Sequence, residues 1–326
     1  MGAVDLPGDP VSVVDRLAGI FPGETIAFVE QIEEMGFRFD RLPDQRPSTC
    51  GAFALSYLLP VLGFPCHYGH DLAAEDYLAH LAGVVVEDWE VGPSREIGER
   101  VARGELGEAE ARVRYPTQWY RFPVRASSDP TRQGTAPDGI ARAVAVGTAG
   151  ALASVPIAGR TADGDVQLTP ERWDRLLDLL HRNVVGWHLH AILNYEANQM
   201  LAPQSAEYRP AALRDPRVLN RVPRDTWGVG HFAGLGGLWQ RPSGAWWLLL
   251  LDTYKARGFD GYQPQPAELM RQALVRDDGR GGGVLLVIPT DAVESLADAV
   301  VALGITPAMW DNGSLPPDDW TWELGR

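Results

Sequence analysis

Cysteine is scarce in this chain: Cys50 and Cys66 are the only two in 326 residues, too few for a disulfide-built scaffold. The opening Met1-Gly2-Ala3-Val4-Asp5 has neither the basic nor the apolar region of a signal peptide, so a reducing cytoplasm is the expected location. A Cys50–Cys66 disulfide would be unusual there. Long apolar runs are missing too: Trp246 to Leu251 is among the longest, far short of the roughly 20 residues that span a bilayer. Positive charge is in deficit. With 29 Lys and Arg against 43 Asp and Glu, the formal charge is −14 and the pI near 4.9, which argues against nucleic acid or an anionic membrane as partner and leaves a peptide, a protein or a small amide. No internal repeat or low-complexity tract is present.

What is present is a large apolar fraction, 45% of the residues, enough to bury a sizeable core in an α+β chain with helices first and strands later. Two helices are predicted over residues 11–21 and 24–37, separated by Pro22-Gly23, then a helix from Cys50 to near Gly63 with Phe64-Pro65 as its stop. Further helices are expected over residues 71–82, 96–114, 137–153, 170–183, 266–274 and 291–303. Residues 83–86 read as a strand or a loop, 184–195 and 283–288 as strands, and 202–226 as a long surface loop. Gly230 to Trp239 and Ala245 to Tyr254 flank the turn signal Gln240-Arg241-Pro242-Ser243-Gly244 and read as a hairpin.

Within this frame the stretch Asp44-Gln45-Arg46-Pro47-Ser48-Thr49-Cys50 brings a helix start, a cysteine and an amide together. Pro47 disfavours helix before it, and Ser48 and Thr49 are good N-caps, so Cys50 falls in the first helical turn. There the unpaired N–H groups and the positive end of the helix dipole favour a thiolate nucleophile. Gln45, in the extended lead-in, is placed to donate to an oxyanion. Such a nucleophile needs a base, and the base needs an acceptor that fixes its tautomer. His231 opens the first hairpin strand and Asp252 closes the second. A turn of two or four residues puts both side chains on one face, opposite or displaced by one pleat; a turn of three or five does not. The glycines around His231, Gly230 among them, indicate close approach of another backbone or of a substrate.

These residues resemble the papain-like cysteine peptidase superfamily, nearest the branch of bacteriocin leader peptidases and their uncharacterised bacterial relatives, in two blocks, Gln45 to Leu58 and Trp227 to Tyr254. The resemblance implies an α+β papain-like domain over residues 1–326, with an N-terminal helical extension over 1–40 and an insertion over 84–134. It implies Cys50 as nucleophile, His231 as general base, Asp252 as its orienter and Gln45 in the oxyanion hole. The family glutamine usually lies one residue further from the cysteine, and the Cys-Gly-[SA]-Cys-[WY] signature of papain itself is absent. The implied activity is hydrolysis of a peptide or amide bond through a thioester, without cofactor or metal. Amide-forming or transglutaminase-like acyl transfer, and a non-catalytic binding protein on the same scaffold, are the alternatives.

Other groupings are weaker. The segment from Tyr115 to Arg125 reads either as one wall of a substrate groove, with Trp119 as a substrate contact, or as an ordinary strand pair with core aromatics, and packing is the more common fate of aromatics. Cys66-His67, His70 and His80 lack the paired spacing of a zinc site. His188 and His190 alternate in a predicted strand and share a face, read as satisfied imidazoles of a partly buried strand. Asp71 and Asp44 read as cap and turn acceptors.

Overall fold

The computed structural model describes residues 12–15, 23–42, 44–64, 71–115, 118–183, 188–202, 221–276 and 278–317. It is a mixed α+β fold of helices around a seven-stranded antiparallel sheet of order β4-β9-β5-β6-β7-β8, with β1 also on β6. The strands are β1 (Ala27–Phe28), β4 (Leu152–Ala158), β5 (His190–Glu196), β6 (Gly230–Gln240), β7 (Trp246–Leu251), β8 (Tyr262–Pro266) and β9 (Gly283–Pro289). β5 pairs with residues 230–234 of β6, and β1 takes up the ladder farther along, at Gly237 and Leu238. A separate parallel pair joins β2 (Val85–Glu87) to β3 (Arg125–Ser127).

Helix α1 (Ile32–Arg41) precedes α2 (Cys50–Val61), whose twelve residues are all buried. A helix apolar on every side belongs at the centre of a structure, and α2 packs between the sheet at β6 and the helices α3 (Asp71–Ala82) and α6 (Pro137–Gly147). It ends where Gly63 adopts φ 86°, a conformation glycine takes without Cβ strain. The region from 84 to 134 holds α4 (Asp88–Ala102), α5 (Glu108–Arg114) and the β2–β3 pair, with its own apolar cluster of Ile97, Leu106, Ala111 and Trp119. Further helices are α7 (Pro170–Asn183), α8 (Ala267–Val275) and α9 (Val293–Ala302). Among the described residues no helix is long and apolar enough to cross a membrane.

Several expectations are corrected. The helix predicted over 24–37 starts only at Ile32, because residues 27–28 join the sheet; most of the helix predicted over 11–21 lies outside the described residues. The piece predicted over 96–114 is two helices, α4 and α5, broken at residues 103–107. Helix α6 stops at Gly147, and β4 begins at Leu152. Strands β4 and β8 contain Pro156, Pro264 and Pro266, residues that argue against a strand in sequence; both are edge strands, where the missing N–H does not break a two-sided ladder. Residues 118–124 form no strand. Most of the loop expected over 202–226 is likewise outside the described residues.

The hairpin has a register that its turn alone would not produce. Residues 241–245 lie between the paired Gln240 and Trp246, a five-residue connection, the parity that separates His231 from Asp252. A bulge at Gly236 between the pairs Gly237↔Leu249 and Leu235↔Leu250 removes the offset. An extra residue on one strand flips the facing of everything beyond it. Continuing from Gly234↔Leu251, His231 and Asp252 share a face, displaced by one pleat.

Tyr57 ties α2 to this hairpin. Its hydroxyl accepts from Gly234 N at 3.1 Å and donates to Leu251 O at 3.1 Å, standing between two groups that face each other across the ladder. A Cβ at Gly234 would lie 2.5 Å from that hydroxyl, so glycine here answers the close approach of a side chain rather than of a backbone. Tyr57→Phe leaves a buried N–H and C=O without their partner and is expected to destabilise the fold by about 2 kcal/mol. The check is a lower urea midpoint with an unchanged slope against denaturant.

Candidate active site

The lead-in to α2 is held from both sides. Gln45 N donates to Thr253 O at 3.1 Å and Lys255 N to Asp44 Oδ1 at 2.7 Å, fastening residues 44–45 to the end of the hairpin. Asp44 is thus a backbone acceptor, as its sequence context suggests. Beneath the helix start, buried Glu75 accepts from Arg46 N at 3.0 Å and from the Thr49 hydroxyl at 2.5 Å, while Arg46 Nη1 lies 3.2 Å from buried Asp76 and also donates to Trp119 O. Burial pushes the Glu75 carboxyl up, opposed by the Arg46 charge and the Thr49 hydrogen bond. Thr49 is the N-cap residue, but its hydroxyl serves Glu75 and Arg46 O instead of the helix. Ser48 takes φ 65°, with its carbonyl accepting from Thr135 Oγ1 at 3.1 Å. Cys50 follows as the first residue of α2, where a backbone N–H has no intrahelical acceptor.

Opposite stands a buried His–Asp pair, both residues 0% exposed. His231 Nε2 is 3.1 Å from Asp252 Oδ1 and 3.2 Å from Thr253 Oγ1. Asp252 also accepts from the Tyr195 hydroxyl at 3.2 Å and from Tyr254 N at 3.0 Å. Nδ1 has no hydrogen-bond partner among the described residues, and Cys50 lines the same cleft as the ring. Burial opposes a charged ring, but the attraction and hydrogen bond of Asp252, together with Cys50, raise the His231 pKa to about 9. Burial likewise opposes the Asp252 carboxylate, and His231, Arg257 and the Tyr254 N–H hold it below its usual range. The ring is clasped by Tyr254, stacked at 5.9 Å and 17°, and by Trp227 and Tyr195, edge-on at 5.1 and 5.6 Å.

Cys50, His231 and Gln45 line one cleft of about 200 Å³ with Gly230, Trp227 and Tyr254. Gln45 is 8% exposed and its amide is engaged: Nε2 donates to Arg46 O and to the Tyr254 hydroxyl, each at 3.1 Å, and Oε1 accepts from Thr253 Oγ1. Gly230 lies in the cleft wall, and a Cβ there would meet Arg276 Nη1 at 2.8 Å, a side chain rather than the backbone or substrate expected from the sequence. Trp119 does not line this cleft. It is 2% exposed in the small apolar cluster of the 84–134 region, so its burial serves packing.

The rival groupings are placed only in part. Cys66, His67 and His70 lie outside the described residues, and His80 Nδ1 is bound to Pro123 O at 2.6 Å. Among the described residues no cluster of three His, Cys, Asp or Glu is arranged to hold a metal. His188 precedes β5 with φ 49° and lies 2.7 Å from Glu30 Oε2. His190 is buried at the strand start with neither ring nitrogen bonded, and burial, helped by His188, lowers its pKa to about 4. The two are therefore neither strand partners nor both satisfied. Thr253 and Tyr254 were within reach of sequence reasoning as neighbours of Asp252. Tyr195 and the Arg46–Glu75–Asp76 cluster were not, because only strand pairing and helix packing bring them in.

An α+β fold that brings Cys50 and His231 to one cleft, with Asp252 buried against the histidine, defines the class of structure here. The chain itself belongs to a family of unknown function, DUF6885, whose profile matches residues 31–311. No curated protein matches it.

The His–Asp pair makes stability depend on pH in a defined direction. A His231 pKa raised from 6.5 to about 9 contributes stability that is complete below pH 6.5 and is lost as pH rises through about 9; the lowered Asp252 value contributes above pH 3.8 and is lost on acidification. The difference in urea midpoint between wild type and Asp252→Ala is expected to shrink from pH 6.5 to 9.5, and the His231 ring resonances to titrate near pH 9.

Proposed function

We propose that this protein is a papain-like cysteine hydrolase that cleaves a peptide or amide bond through a thioester on Cys50. The observation that carries the reading is the His231 imidazole, bonded through Nε2 to a buried Asp252 and lining one cleft with Cys50. The chain order supports it: a helix-start cysteine, a histidine on a later strand and an aspartate ending the next strand, the order of the papain-like superfamily.

In the proposed reaction His231 is held as imidazolium beside a Cys50 thiolate. The sulfur attacks the substrate carbonyl carbon, and the C=O electrons move to oxygen. The tetrahedral species collapses with breaking of the C–N bond, and the amine leaves with the proton from His231. Water then loses a proton to His231 and attacks the thioester, the C–S bond breaks, and the carboxylate departs. Two donors serve the oxyanion: the Cys50 backbone N–H and the Tyr254 hydroxyl. Tyr254 already accepts from Gln45 Nε2, which leaves its own hydrogen for the substrate oxygen, and burial followed by the Cys50 charge pushes its pKa up to about 12. Gln45 in this arrangement acts through Tyr254, as a positioning residue.

Two measurements test this. Iodoacetamide is expected to label Cys50 faster than Cys66 near neutral pH, and Asp252→Ala to slow that labelling and move its pH profile upward, with Asp252→Asn milder because an amide oxygen still accepts from the ring. Faster labelling of Cys66, or an unshifted Asp252→Ala profile, removes the triad. Alkylation displaces iodide at a saturated carbon and builds no oxyanion, whereas acylation by p-nitrophenyl acetate does. Tyr254→Phe, which keeps the stack on His231, is expected to slow acylation by about 10² and alkylation far less; equal effects on both reactions would deny the hydroxyl this role.

A further inference from the structure

The wall of the cleft is poor in acidic side chains for an acidic protein. Among the described residues its wall contains no aspartate or glutamate, and beside His231 its one charged side chain is Arg280. The chain as a whole carries 43 acidic against 29 basic residues, so a cleft without carboxylates departs from the surface around it. Arg280 is half-buried, and its guanidinium makes no hydrogen bond or ion pair with a described residue; Asp129 and Asp278 feel its charge only from a distance.

Arg280 also lines an adjoining cavity of about 690 Å³, together with Arg160 and Arg276. Arg160 donates to the carbonyls of Val275, Arg276 and Gly164 and to no carboxylate, which keeps its charge uncompensated. Arg276, with a side chain 1% exposed, pairs with Asp278 through Nε and Nη2, but its Nη1 is buried without a partner and sits against Gly230, next to His231. Asp311 is the carboxylate in that wall among the described residues. Arg160 and Arg280 have no carboxylate on their guanidiniums among the described residues, and the ion-paired Arg276 keeps one buried Nη1 unsatisfied, so an anion here would offset part of their desolvation cost; a guanidinium fork matches a carboxylate.

We propose that the acyl donor carries a carboxylate, which is received by Arg280, the residue that lines both the Cys50 cleft and the neighbouring arginine-lined cavity, with Arg160 and Arg276 supplying the surrounding positive field. This rests on the proposed cysteine chemistry for its placement, but the binding of the anion does not depend on the thiol.

Two arms test it. In the first, Cys50 is alkylated with iodoacetate and with iodoacetamide, reagents that differ by one negative charge, and the ratio of rates is compared with that of a free thiol. Wild type is expected to favour iodoacetate, Arg280→Gln to lower the ratio about tenfold, and Arg280→Lys to keep most of it. A ratio unmoved by Arg280→Gln overturns the proposal, since the remaining preference then belongs to His231. In the second arm glutarate is added to Cys50→Ala, and the expected rise in melting temperature should vanish in Cys50→Ala/Arg280→Gln. An equal rise in both variants, or none in either, overturns the anion site. Inert Cys50 in the first arm with an Arg280-dependent shift in the second overturns the nucleophile reading alone.

Discussion

A carboxylate with no access to water has to be matched by donors, and Asp252 is such a group. Isolated, a buried charge of this kind would cost several kcal/mol; here each donor that meets it comes from a different part of the chain. The imidazole of His231 arrives on β6, the Tyr195 hydroxyl on β5 and the Tyr254 N–H from the loop after β7, with Arg257 adding its charge nearby. Meeting that requirement fixes the relative placement of three strands. Through Thr253, which touches both His231 and Gln45, it also fixes the segment leading into Cys50. The site is therefore an outcome of burying one negative charge properly.

The cysteine reaches this pair by a second constraint, the wedge of Tyr57 between Gly234 and Leu251. One side chain from the middle of α2 thereby sets the height of the helix over the hairpin. Below the helix start the Arg46–Glu75–Asp76 cluster sets its tilt. Both devices are buried and hydrogen-bonded, so they have one good arrangement each and lose free energy on displacement. Cys50 is held from two ends, by α2 behind it and by residues 44–46 before it.

The aromatic cage has a parallel effect on chemistry. Tyr254, Trp227 and Tyr195 enclose the His231 ring, which removes water from the imidazole and strengthens its attraction to Asp252. Desolvation alone would have driven the ring neutral; with the carboxylate in contact the same low dielectric favours the charged form. His190 shows the other outcome in the same sheet, buried without a partner and held neutral, its pKa near 4.

Much of this was legible in the chain, where local physics suffices. The helix from Cys50 to Val61 follows from Pro47 before it and Gly63 after it, α7 from the proline at its first position, and the hairpin from two apolar runs about a turn. Cys50, His231 and Asp252 could be named because each sits at or beside the end of an element, which local sequence marks best, and Gln45 because it lies in the lead-in to one. The elements misread were those that a neighbour decides: β4 and β8 carry prolines that only an edge position tolerates, and residues 27–28 become a strand because β6 offers a free stretch of ladder. The hairpin register shows the division most sharply. A five-residue connection would have turned His231 away from Asp252, and the glycines at 234, 236 and 237 allow a compensating bulge without specifying which of them carries it. The sequence by itself determined which residues were available and which stood at element ends. The tertiary structure decided which of them face one another, because a single extra residue in a strand reverses every side chain beyond it, and only packing against α2 and the pairing of a buried charge select the register that is kept.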